Sequence, residues 1–103
     1  IKVAVFPLLS NKEELVAAPK KIYDELKKDF GCLYDEAGSI GKRYARMDES
    51  GTPFCITFDF DSLKDHAVTI RDRDTTKQAR VKIKELPGIL WQLLSEKTSF
   101  EKI

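Results

Sequence analysis

From Val3 to Leu9 the chain reads VAVFPLL, an apolar run with no alternation. A strand with one wet face alternates, so this run predicts a central strand covered on both sides. Between Ser10 and Phe30 the period becomes helical, with Leu15, Ile22, Leu26 and Phe30 on one face and Lys20, Lys21, Lys27 and Lys28 on others. Pro19 suits the first turn of the main helix, and Gly31 suits its end. Cys32–Asp35 then reads as a short strand. Ser39 precedes a second helix marked by Ile40, Tyr44 and Met47, which Gly51 closes.

Beyond it, Phe54, Ile56, Phe58 and Phe60 alternate with Cys55, Thr57, Asp59 and Asp61, the pattern of a half-buried strand. The polar stretch SLKDHA reads as a turn into a further strand, where Val68 and Ile70 alternate with Thr69, Arg71 and Arg73, making an antiparallel hairpin. Arg80–Lys84 predicts another strand with Val81 and Ile83 inward. Leu86 and Pro87 open a last helix that buries Leu90 and Leu94, with Trp91 beside them in the core. The order βαβαβββα argues for an α/β fold in which helices pack on a mixed sheet.

At 103 residues the chain is expected to form a single domain over 1–103. Hydrophobic residues at 42% and charged residues at 34% place it among globular proteins. The formal net charge is only +1, so a nucleic-acid contact has to come from a local basic patch. Cys32 and Cys55 form no CxxC pair, and with one histidine, His66, they suggest free buried thiols and a cytoplasmic setting, with no metal site. No apolar run is long enough to span a membrane. The start at Ile1, directly before an apolar strand, suggests a piece of a longer protein.

Residues 38 to 61, GSIGKRYARMDESGTPFCITFDFD, carry the most information. Gly38 and Gly41 flank a turn into a helix N-terminus, with Lys42, Arg43 and Arg46 in its first two turns. Either these glycines merely shape a loop that Ser39 caps, or the turn and the basic residues receive phosphates. A Walker A loop is excluded, because GKR lacks the hydroxyl residue after Lys. On the hairpin, Thr57, Asp59, Thr69, Arg71 and Arg73 share the polar face. Either they pair with one another across the strands, or they meet unstacked bases, as proteins that read single-stranded RNA commonly do. Cytosine offers an amino donor to Asp and acceptors to Arg, so such a face suits cytosines. His66 beside Asp65 has no nucleophile at readable spacing, and no catalytic residue is expected. Asp35, Glu36, Asp48 and Glu49 read as solvated or capping carboxylates, and Phe6, Tyr34 and Tyr44 as core aromatics able to stack on bases if exposed.

The same string, followed by AVTIRDRDTTKQARVKIKELP and preceded by KVAVFPL and IYDELKK, resembles the C-terminal anticodon-binding domain of dimeric class II glycyl-tRNA synthetases. The resemblance runs from about Lys2 to Leu94; nothing carries over at Ser10–Ala18, where length and composition vary. It implies a mixed five-stranded sheet with about three packed helices, appended to an upstream catalytic domain of a homodimeric enzyme that attaches glycine to tRNA using ATP and Mg. This segment itself is then a non-enzymatic module without cofactors, whose partner is the glycine tRNA anticodon stem-loop. Glycine anticodons end in two cytosines. By motif alignment with related threonyl enzymes, Arg73 is the implied base contact; Arg71, Asp59 and Asp74 follow from facing direction alone. Lys42, Arg43 and Arg46 are assigned to the RNA backbone. The alternative is the same fold reused as an interaction module, such as a DNA polymerase accessory subunit. The charged RDRD stretch speaks against it.

Overall fold

The run that showed no alternation sits where two strands can flank it. In the computed structural model, which covers residues 1–103, β1 (Val3–Pro7) pairs in parallel with β2 (Cys32–Tyr34) on one side and with β3 (Phe54–Phe58) on the other. Strands β4 (Ala67–Asp72) and β5 (Gln78–Lys82) extend the sheet antiparallel, in the order β2-β1-β3-β4-β5. Parallel neighbours require crossovers, and here they are helical: α1 (Ala17–Leu26) joins β1 to β2, and α2 (Ile40–Ser50) joins β2 to β3.

The two crossovers cover opposite faces. Val3, Val5, Phe54, Ile56, Phe58, Val68, Ile70 and Val81 form the larger core with Ile22 and Leu26 of α1 and with Leu86, Leu90 and Leu93 of α4 (Leu86–Leu94). Each such side chain contributes about 1.5–3 kcal/mol of burial. The residues between them, Ala4, Phe6 and Cys55, meet Met47, Ile40 and Tyr44 of α2 in a smaller cluster. Period two thus sends alternate residues of one sheet into two cores.

Helix α2 has both ends closed by the residues the sequence offered. Ser39 Oγ accepts the Lys42 backbone N–H at 3.3 Å. Gly51 takes the left-handed conformation at φ 77°, and Thr52 N–H returns to the Met47 carbonyl at 3.0 Å, a Schellman closure. Pro19 is the third residue of α1, still inside the first turn where its missing N–H costs nothing.

Four local expectations need correction. Strand β3 is buried on both faces rather than half-buried, because α2 covers Cys55 and Tyr44 covers Thr57; it ends at Phe58, leaving Phe60 45% exposed. The SLKDHA turn contains one helical turn, α3 (Ser62–Asp65), organised by a mutual Asp59–Ser62 hydrogen-bond pair at 3.0–3.1 Å. Strand β5 begins at Gln78 and ends at Lys82, with Ile83 in a 3-10 turn before α4. Trp91 is 60% exposed: Leu86, Leu90 and Leu93 already fill the buried face of α4.

Candidate nucleic-acid interface

Helix α2 is narrower than the sheet beneath it. It packs on β1 and β3 and reaches β4 only through Tyr44 and Asp48, while on the same face β5 is touched by Asp65 of the one-turn α3. Register fixes what stands there: Cys55 is opposite Arg71 and Arg71 opposite Gln78; Thr57 is opposite Thr69 and Thr69 opposite Arg80; Ala67 is opposite Lys82. The open half therefore presents Thr69, Arg71, Gln78, Arg80 and Lys82, with Tyr44 and Asp48 of α2 as its wall.

Along that wall Tyr44 rests edge-on against Phe6, with ring centroids 5.5 Å apart, and its hydroxyl shares a 2.7 Å hydrogen bond with Thr57 Oγ1. Burial raises the Tyr44 pKa, so the phenol stays neutral. The Arg71 guanidinium lies 4.7 Å from the Tyr44 ring centroid and donates to both oxygens of Asp48, at 3.0 and 3.4 Å. The bond to Asp48 raises the Arg71 pKa further, fixing its charge.

A second guanidinium holds the other end. Arg80 donates to Asp59 at 3.1 Å from two nitrogens, to Asp65 at 2.9 and 3.1 Å, and to Thr69 Oγ1 at 3.3 Å. Burial pulls the Asp59 pKa upward, but the bonds from Arg80 and Ser62 outweigh it and leave the group below its ordinary value. Arg80 likewise lowers Asp65, and both carboxylates raise Arg80. Arg80 keeps a third of its side chain exposed, so these contacts orient it without hiding it. The surface offers planar cationic donors in fixed positions beside carboxylate acceptors such as Asp48, 44% exposed, a combination able to hydrogen-bond base edges.

Of the residues singled out from sequence, Asp59, Thr69 and Arg71 share this face, and Thr57 shares it but is buried under Tyr44. Arg73 lies one residue beyond β4, tied through its backbone N–H to the Pro53 carbonyl at 2.9 Å. Its guanidinium is 3.8 Å from Asp74, which is 80% exposed. This pair occupies the β4–β5 turn at the rim. Sequence reasoning missed Arg80 as a site residue, although its alternation with Val81 was visible; what it lacked was the pairing with Thr69.

Of the three helix α2 cations assigned to the RNA backbone, one is enclosed by the fold. Arg43 is corrected: it is 1% exposed and donates to the carbonyls of Pro7, Glu36, Ala37 and Gly38, the last at 2.8 Å. A guanidinium so enclosed cannot reach a phosphate; it pins the 36–38 loop to the end of β1. Arg46 is held by Asp35 at 2.8 Å and by the Ala37 carbonyl at 2.6 Å. Lys42 is exposed and has no side-chain partner. The roomiest concavity, about 560 Å³, sits at the β2 edge away from this face, lined by Ile1, Leu33 and Met47 together with Arg46, Glu49, Ser50 and Thr52.

A sheet of this order with one half-open, charged face defines a class, and the chain belongs to it: residues 2–93 match the anticodon binding domain family. Within that family it is similar to glycine–tRNA ligases. It is 58% identical over 86 residues to that of Ruminiclostridium cellulolyticum, covering 84% of this chain and 18% of the relative. The ligase of Caldanaerobacter subterraneus subsp. tengcongensis is 56% identical over 94 residues, covering 91% and 20%, and that of Corynebacterium glutamicum 53% over the same length and shares. The chain thus spans about a fifth of the length of these relatives. Such relatives do not favour the alternative of a polymerase accessory subunit. No helix is long and apolar enough to cross a membrane.

Proposed function

We propose that this chain is the tRNA-reading domain of a glycine–tRNA ligase and that it recognises the cytosines of the glycine anticodon stem-loop on the open half of its sheet. The observation that carries the reading is the pair of guanidiniums, Arg71 and Arg80, oriented by Asp48, Asp59 and Asp65 beside the edge of α2, with 12% and 33% of their side chains exposed. Arg73 and Asp74 at the adjoining turn extend it toward a neighbouring base. Glycine activation with ATP and Mg belongs to an upstream catalytic domain in a cytoplasmic homodimer, and this segment contributes recognition only.

The test is binding to a glycine anticodon stem-loop and to the same hairpin with its anticodon cytosines replaced, at one fixed moderate salt concentration. A preference for the cytosine hairpin supports the reading. Equal binding would reduce the site to a generic RNA contact, and binding to neither would sink the reading for this chain.

A further inference from the structure

With Arg43 buried, α2 is left with Lys42, which has no side-chain partner, and Arg46, 42% exposed and held by Asp35. Alternate residues of an edge strand stand roughly 7 Å apart on one face. On β5 these are Gln78, Arg80 and Lys82, all exposed, with Lys84 following in the 3-10 turn. Beside the end of β5 is a groove of about 520 Å³ lined by Asp65, His66, Lys82, Ile83 and Lys84.

Two ammonium groups and one carboxylate line it. The one carboxylate, Asp65, is engaged by Arg80 at 2.9 and 3.1 Å. Lys82 Nζ donates to the Asp65 backbone carbonyl at 3.0 Å, which orients the ammonium; its charge helps to lower the Asp65 pKa, but it forms no direct ion pair. Lys84 takes part in no ion pair. The opposite rim of the open face carries Asp48 of α2, 44% exposed and paired with Arg71 at 3.0 Å. An RNA strand whose bases lie over β4 and β5 must run its backbone along one rim, and the exposed ammonium groups of Lys82 and Lys84 stand on the β5 rim.

We infer that the β5–α3 groove is a phosphate-binding site in which Lys82 and Lys84 hold the backbone of the RNA strand whose bases meet Arg71 and Arg80. This rests on the anticodon reading above. Such contacts set register without reading sequence.

The experiment measures affinity of the chain for the cytosine hairpin and its replaced counterpart between about 50 and 200 mM salt, the range over which phosphate contacts register. Each phosphate contact contributes about 0.7–0.9 to the slope of log affinity against log salt, so the K82A/K84A double variant should lower it by about 1.4–1.8. Affinity for both hairpins should fall by the same factor, K82R/K84R should restore the slope, and K28A, in the turn after α1 on the other face of the sheet, should leave it unchanged. A thermal melt confirms that the variants remain folded. An unchanged slope in folded K82A/K84A overturns the groove, as does a loss confined to the cytosine hairpin. If the unsubstituted chain binds both hairpins equally, the anticodon reading fails while a reduced slope still supports the groove. Binding to neither removes both.

Discussion

Replacing Arg43 by methionine keeps the aliphatic stem and removes all donors at once. In the folded chain this guanidinium serves four carbonyls, those of Pro7, Glu36, Ala37 and Gly38. Hydrogen bonds to a charged group contribute about 1.5–3 kcal/mol each, but four such terms do not add, because carbonyls that can reach water are rehydrated when the donor leaves. Ala37 and Gly38 are exposed, whereas Pro7 is buried and Glu36 half-buried, so the cost concentrates on two acceptors. Against it stands the desolvation that the buried cation no longer bears. The balance is about 3 kcal/mol of lost stability, or a factor on the order of 150 in the folding equilibrium, which a domain of typical stability survives. Urea denaturation should show a lower midpoint with an unchanged slope, since the surface exposed on unfolding is the same. Arg43→Lys, with a single ammonium in place of the fork, should recover only part of the loss. A loss below about 1 kcal/mol, or a salt slope for RNA that drops by one phosphate contact in the folded variant, would refute this account and return Arg43 to the RNA backbone.

Other outcomes follow from the same geometry. Arg71→Ala should weaken discrimination for the anticodon cytosines by about 1–3 kcal/mol, measured as the ratio of affinities for the two hairpins. Asp59 and Asp65 have pKa values below the ordinary carboxylate value, so their contribution to stability is present above pH about 4 and is lost as pH falls through the depressed range. Arg80→Gln, which removes the shared cause, should flatten that acid limb in urea titrations between pH 2 and 5 as an approximate window. Gly51→Ala should cost about 1 kcal/mol by thermal melt, because at φ 77° no atom crowds the site and only backbone conformation is penalised. Burial pushes the Cys55 thiol up to about 12 and leaves it 1% exposed, so labelling by a thiol reagent at neutral pH should be limited by opening of the fold and accelerate in urea; fast labelling in buffer would contradict the covered β3.

The core strands were legible where both neighbours were implied by composition. VAVFPLL could only be central, and period two in Val68 and Ile70 marked β4 correctly. The caps of α2 were legible because Ser39 and Gly51 act locally. What failed was anything decided by the width of α2. Thr57 alternates like an exposed residue but lies under Tyr44, and Cys55 under Met47 and Tyr44, because a helix arriving from elsewhere in the chain covers β3 and stops short of β4. Arg43 failed for a related reason: residue type suggested a phosphate ligand, yet the carbonyls it satisfies come from β1 and the 36–38 loop, up to 36 positions away. Trp91 reads as core beside Leu90 and Leu94, although three leucines on α4 already occupy the buried face.

The ion pairs on the open face are better explained by geometry than by stability. Exposed pairs typically contribute between about 0 and 1 kcal/mol, and Arg80 with Asp59 and Asp65 is partly exposed at every member. What several carboxylates achieve together is to hold one long side chain in a single rotamer, a side chain that free in solution carries about 2 kcal/mol of rotamer entropy. A base arriving on that surface finds Arg80 already fixed, so the ordering cost that would otherwise oppose binding has been met during folding. Arg71 is prepared the same way by Asp48 and by the ring of Tyr44. If this is the role, Asp48→Asn should leave stability nearly unchanged while reducing affinity for the cytosine hairpin several-fold, through a guanidinium that now samples several orientations. A variant that lost stability and kept its affinity would assign Asp48 to the fold instead.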